Sequence, residues 1–270
     1  MSEPRPSSAS RRSFLLRKIH SLTGVAPLGV FLILHLYLNA HALRGQGSYD
    51  VAVRETADTP YLFAIEIGCV LLPLLFHAGY GIKLAFEGRP NASTYTASRN
   101  WMYSAQRLTG LLGLAFVLWH MSELWIPRVT GQLDPGAYYP TLCQTLSTTK
   151  KGLPLAALGY VFGIAACVFH FANGLWGFCT SWGITATKRS QRVSAVVFGV
   201  VGLATFILGA NTAIYFATGS RIAIFGTPAE DSIARAPRLV RTCADQGPLP
   251  KSAPTPGAAA SPNAVENVTR

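Results

Sequence analysis

Five stretches of the chain are apolar almost without interruption, at about 22–43, 61–86, 106–127, 153–179 and 193–218. Each reaches the roughly 20 residues that a helix needs to cross a hydrocarbon core about 30 Å thick. The apolar positions are continuous instead of alternating, which predicts spanning helices and argues against a β-barrel. Polar segments with Gly and Pro separate them: 44–60, Glu87-Gly88-Arg89-Pro90, the stretch from Pro127 through Pro140, and Trp182-Gly183. The pattern therefore predicts an all-α membrane protein, with five transmembrane helices in one bundle over 13–218. A polar, Pro/Ser-rich extension (1–12) precedes it. A tail rich in Pro, Ala and Ser (219–270) follows, and both compositions predict disorder.

Composition agrees. Only 13% of the 270 residues are charged, against roughly 25% in a soluble domain. The net charge of +11 suggests nucleic acid until its distribution is examined. With the N-terminus cytoplasmic, twelve cations fall on the inner side: Arg5, Arg11, Arg12, Arg17, Lys18, Lys83, Arg89, Arg99, Arg107, Lys188, Arg189 and Arg192. The two outer loops hold five, Arg44, Arg54, Arg128, Lys150 and Lys151. That asymmetry is the positive-inside rule, so topology accounts for the excess and no nucleic-acid partner is expected. The run from Ser10-Arg11-Arg12-Ser13 to Ala40-His41-Ala42 imitates a twin-arginine export signal with its cleavage site. Such a signal serves a soluble domain, whereas four more spans follow, and Arg17 and Lys18 break the apolar run. Cys69, Cys167 and Cys179 read as small buried hydrophobes. Cys143 and Cys243 would share the outer side, where a disulfide can form.

Into these apolar stretches the chain sets four histidines, His35, His77, His120 and His170, each alone in its own predicted helix. Ionisable side chains at membrane depth are costly and mark functional sites by default. Four neutral imidazoles make the axial ligand set of two six-coordinate haems. Depth sorts them into pairs. His35 and His120, on outward-running helices, fall roughly 18–20 Å from the inner edge at about 1.5 Å per residue. His77 and His170, on inward-running helices, fall roughly 22–24 Å from the outer edge. Two layers result, His35 with His120 outside and His77 with His170 inside. Gly81, Gly113, Gly163 and Gly174 lie one or two turns from these ligands on the same faces. They leave room for a flat macrocycle, or else for close helix packing. His20 and His41, at helix ends, read as interfacial. An electron-carrying cytochrome is the leading reading, and a haem-free transporter or structural anchor is the other.

Several longer motifs resemble one family. Arg17-Lys-Ile-His-Ser-Leu-Thr-Gly24 leading to His35, Pro73-Leu-Leu-Phe-His77-Ala-Gly-Tyr-Gly81, Gln106-Arg-Leu-Thr-Gly110 leading to His120, and His170-Phe-Ala-Asn-Gly-Leu-Trp176 through Arg192 are similar to the single-polypeptide, two-haem cytochrome b subunits of succinate dehydrogenase and fumarate reductase. The similarity covers about 13–215. It implies two haem b, held by His35 with His120 and by His77 with His170. It further implies partners: a flavoprotein carrying FAD and an iron–sulfur protein on the cytoplasmic face. Electrons would pass to or from a membrane quinone, menaquinone in this type, in respiratory complex II of a bacterial cytoplasmic (inner) membrane. The chain itself shows no flavin, iron–sulfur or dicarboxylate motif, as expected of an anchor. Quinone chemistry needs proton-exchanging groups, for which Glu66 and Glu123 are the candidates. His20, Ser21 and Lys188 are candidates for the inner haem propionates. The anchors of formate dehydrogenases and hydrogenases share the composition but lack these motifs. A bc-type subunit carries two histidines on each of two helices, unlike this chain.

Overall fold

The computed structural model describes residues 8–87 and 98–220. Most of the 1–12 extension, the loop at 88–97, nearly all of the tail and Cys243 lie outside the described residues. The first span is two helices, α1 (Ser8–Val25) and α2 (Pro27–Asn39). Pro27 has no N–H for the carbonyl four residues back and its ring crowds that turn, so the helix is interrupted at Ala26. α1 begins well ahead of the apolar run and takes in residues 8–12, which composition assigned to the extension. Once a turn exists, adding residues to a helix costs little.

A short polar helix follows, α3 (Gln46–Ala57). The second span is α4 (Leu62–Ile65), a π turn (Glu66–Leu71) and α5 (Leu72–Glu87). The third is α6 (Ser98–His120), a second π turn (Met121–Trp125) and α7 (Ile126–Val129). After α8 (Tyr138–Ser147), the last two spans are α9 (Leu155–Ser181) and α10 (Lys188–Thr218). A reciprocal pair of bonds between Thr187 and Ser190 caps the start of α10, and Gly219 ends it in the left-handed region (φ 71°).

All five spans are long and apolar enough to cross a membrane. Their outward faces carry Leu34, Leu75, Phe162 and Val200, each at least 60% exposed. Lipid suits such faces and water does not, so the chain is a multi-pass membrane protein. Close approach between spans comes from small residues. A Cβ at Gly163 would stand 2.1 Å from the Phe116 ring, one at Gly202 2.7 Å from Ala172, and one at Gly209 2.9 Å from Ile164.

The tightest core lies at one end of the bundle, where α3 and α8 fold over the end of α10. Tyr139, Leu146, Tyr215 and Phe216 are at most 2% exposed, and the Tyr49, Tyr139 and Phe216 rings meet edge to face at 5.3–5.7 Å. Polar composition alone predicts irregular loops here. Tyr49 and Val53 lie on one face of α3, and Tyr139, Leu142, Cys143 and Leu146 on one face of α8, all buried. These stripes dock on the end of α10 and make the loops helical.

Candidate functional site

Between the first four spans lies a cavity of about 1420 Å³, lined by His20, His35, His77, His120 and His170. Typical small-molecule sites occupy roughly 300–1,000 Å³, so there is space here for more than one large ligand. It reaches from Arg17 and Ser181 at the end where α1 begins to Glu66 and Arg128 at the capped end.

The rings meet in the pairs that depth predicted. His35 and His120 stand 5.7 Å apart between centroids, with planes at 77°. His77 and His170 stand 6.1 Å apart, at 88°. A metal bonded to two opposed imidazoles at about 2.0–2.1 Å each, as in zinc–histidine sites, separates the centroids by roughly 6 Å. Among the described residues no three His, Cys, Asp or Glu side chains converge on one point. Rings paired at this spacing suit an iron whose equatorial ligands arrive with a macrocycle, and the residues present fit haem.

The surroundings of the rings support ligation. His77 Nδ1 lies 3.0 Å from the His20 carbonyl and His170 Nδ1 lies 2.9 Å from the Gln106 carbonyl. A carbonyl only accepts, so Nδ1 carries the proton in both rings and Nε2 keeps the lone pair that a metal takes. Each accepting carbonyl belongs to the residue one turn before a glycine, and the ring lies on that glycine. A Cβ at Gly24 would be 2.5 Å from His77 Cε1, and one at Gly110 would be 2.8 Å from His170 Cε1. His20-Ser-Leu-Thr-Gly24 and Gln106-Arg-Leu-Thr-Gly110 are thus two copies of one seat, on α1 and α6. Behind His170, Asn173 Nδ2 donates to Gln106 Oε1 at 2.8 Å, and Gln106 Nε2 donates to the His170 carbonyl at 3.0 Å. In the other layer, His120 Nδ1 meets the buried Tyr160 hydroxyl at 3.1 Å, and Asn39 Nδ2 donates to the His35 carbonyl at 2.8 Å.

Of the glycines singled out from the sequence, Gly81, Gly113 and Gly174 line the cavity. A Cβ at Gly113 would meet Cys167 Sγ, one at Gly174 the Gln106 amide, and one at Gly81 would stand 3.2 Å from His20 Cε1. Gly163, outside the lining, receives the Phe116 ring and serves close packing. The His77 and His170 rings lie instead on Gly24 and Gly110, each of which closes a Leu-Thr-Gly motif.

The remaining candidates separate clearly. His20 stacks on His77 at 4.1 Å, with planes 12° apart. Ser21 Oγ lines the cavity and accepts Trp182 Nε1 at 3.1 Å. Lys18, which sequence reasoning passed over, donates to the Ser181 carbonyl and lies 4.9 Å over the Trp182 ring. Lys188 is exposed and outside the cavity lining. Glu66 lines the cavity, where Arg128 pairs with it and Trp125 Nε1 donates to it at 3.3 Å. Glu123 is exposed on the other side of its helix and accepts Trp119 Nε1 at 3.2 Å. Cys69 is exposed, not buried, whereas Cys143 is buried in α8.

Among curated proteins, a relative matches across most of the chain, the succinate dehydrogenase cytochrome b558 subunit of Bacillus subtilis. The two are 38% identical over 209 residues, which is 77% of this chain and 99% of the relative. No family model matches the chain.

Proposed function

The chain belongs to the family of succinate dehydrogenase cytochrome b subunits, and from that premise we propose that it holds two haem b, one between His35 and His120 and one between His77 and His170. It is the membrane anchor of a succinate:quinone oxidoreductase. The observation that carries the two-haem reading is the two ring pairs, their centroids 5.7 and 6.1 Å apart, on four different spans.

Bound there, the haems would supply reversible one-electron chemistry across the bundle. The Nδ1 bonds to His20 and Gln106 hold the ring proton of His77 and His170 on Nδ1 and leave the lone pair on Nε2; at His170 the Gln106 amide lies 3.5 Å from that atom. It also walls the pairs in apolar side chains. His20, Ser21 and Lys18 border the His77 layer at the end where α1 begins, where propionates of the nearer haem would find donors. That end is cytoplasmic on the distribution of Lys and Arg. Its partners are a flavoprotein carrying FAD and an iron–sulfur protein, in the cytoplasmic membrane of a bacterium.

Menaquinone reacts at the opposite end, beside Glu66. Interconversion of quinone and quinol moves two electrons and two protons. Glu66 passes one of those protons between water and a quinone oxygen, returning to its carboxylate form. Its place on the cavity wall supports that role over Glu123, which faces away from the cavity.

The test is a purified preparation from detergent-solubilised membranes. Dithionite should develop low-spin b-type bands for two protohaems per chain, and FAD, iron–sulfur protein and menaquinone should co-purify. A colourless chain refutes the proposal. A different set of partner subunits moves it to another quinone-linked complex.

A further inference from the structure

The quinone end of the cavity contains a feature that the Glu66 proposal does not use. Both of the helices that meet there, the second and third spans, change to π winding at this level. Glu66 is the first residue of one π turn and Trp125 the last of the other. π winding accounts for well under 1% of residues in proteins and recurs at functional sites. Each extra residue rotates the next turns of the helix about its axis. Together the two turns bring Glu66 against Trp125 and Arg128, across 59 and 62 residues of sequence.

Arg128 lies one turn beyond Trp125 and pairs with Glu66 Oε2, the same oxygen that receives the indole N–H. Both side chains of the pair are about one-fifth exposed. Tyr138, at the start of α8, lines the cavity beside Arg128, whose guanidinium donates to its hydroxyl. A guanidinium does not release its proton at any working pH, so Arg128 has no proton to give a quinone. What it can do is fix the carboxylate.

We propose that Arg128 is the positioning residue of the quinone site: held by Tyr138, it turns the Glu66 carboxylate to the cavity, and the proton step depends on Arg128 through Glu66. The inference rests on the assignment of proton exchange to Glu66. Trp125 shares the task by occupying the same oxygen. The groups facing Glu66 are thus Arg128 and Trp125 from the third span and Tyr138 from α8.

The experiment uses the whole complex, reducing a short-chain naphthoquinone with succinate. Variants are Glu66→Gln, Arg128→Leu, Arg128→Lys and the double Glu66→Gln/Arg128→Leu. Misplacing a catalytic group by about 1 Å costs up to roughly 100-fold in rate. Arg128→Leu should therefore lower kcat by about 10- to 100-fold, with KM near the wild-type value. Naphthoquinone binding, read separately from quenching of tryptophan fluorescence, should persist, and both haems should keep their spectra and potentials. Arg128→Lys, which restores a cation but not the planar fork, should recover part of the rate. The double variant should be no slower than Glu66→Gln alone. Full turnover in Arg128→Leu beside an impaired Glu66→Gln overturns the positioning role, as do losses that multiply in the double variant. Wild-type turnover in Glu66→Gln refutes the Glu66 assignment itself. If Arg128→Leu fails to assemble, Arg128→Lys and Arg128→Gln decide the matter by the same kcat and KM comparison.

Discussion

Replacing Gly24 by alanine sets a methyl group 2.5 Å from His77 Cε1 and 3.0 Å from its Nδ1, where ordinary contact begins near 3.4 Å. The ring must then retreat by about 0.9 Å (3.4 − 2.5). Retreat along the Nδ1–carbonyl direction would lengthen the 3.0 Å bond to His20 to roughly 3.9 Å, beyond hydrogen-bond range. At Gly110 the same arithmetic gives about 0.6 Å (3.4 − 2.8), and the bond to Gln106 opens less. The lost bond is worth about 1 kcal/mol, and crowding in a packed interior typically adds 1–3 kcal/mol. Alanine returns up to about 1 kcal/mol of helix propensity, so the bundle should still form. Metal affinity should bear the loss, since disturbing the partner of a ligating histidine typically costs 10- to 100-fold. The assay is haem content per chain, with a redox titration of each component in membranes. Gly24→Ala should deplete or shift the His77–His170 haem more than Gly110→Ala does, and spare the other haem in both cases. Gly199, where an added methyl would meet nothing within 4 Å, is the control, and Gly199→Ala should change neither haem. Equal loss of both haems in Gly24→Ala, or no change in either, would refute the seat.

Other expectations are simpler. Tyr160→Phe removes the hydroxyl beside His120 Nδ1 and should weaken or shift the His35–His120 haem alone, by roughly 10- to 100-fold in affinity; a redox titration reads it. Asn173→Leu leaves the Gln106 amide without its donor at 2.8 Å and should perturb the His170 layer, seen as a changed potential with the other haem constant. Asp50, in α3 outside the spans, has a buried Oδ1 without a partner, and desolvation raises its pKa despite the bond from Gln46 and the charge of Arg54. A carboxyl whose folded pKa is raised binds its proton more tightly folded than unfolded, so stability falls as pH climbs above the unfolded value of about 3.9. Asp50→Asn should therefore raise the melting temperature at neutral pH and lose that gain in acid, whereas an equal gain at both pH values would refute the assignment.

How far the sequence could be read depends on whether each feature is local. The spans were legible because length and apolarity are local properties, and the histidines because an ionisable group stands out in such a run. Pairing was legible too, since depth comes from rise per residue. The helices α3 and α8 were not. Their polar composition hides stripes such as Tyr49 with Val53, which have meaning only against Tyr215 and Phe216 of α10. Gly24 and Gly110 carry no mark of the ring above them until the neighbouring helix is in place. The π turns have no sequence signature, so Arg128 was counted among the loop cations although it pairs with Glu66. Of the two acids, only the fold separates Glu66 on the cavity wall from Glu123 outside it.

Haem stoichiometry in a single variant bears most directly on the two-layer arrangement. The wild-type chain should carry two haems, and His120→Ala should carry one, low-spin and with the potential of the His77–His170 pair unchanged. Two haems in His120→Ala, or none in a variant whose helix content and assembly match the wild type, would contradict it.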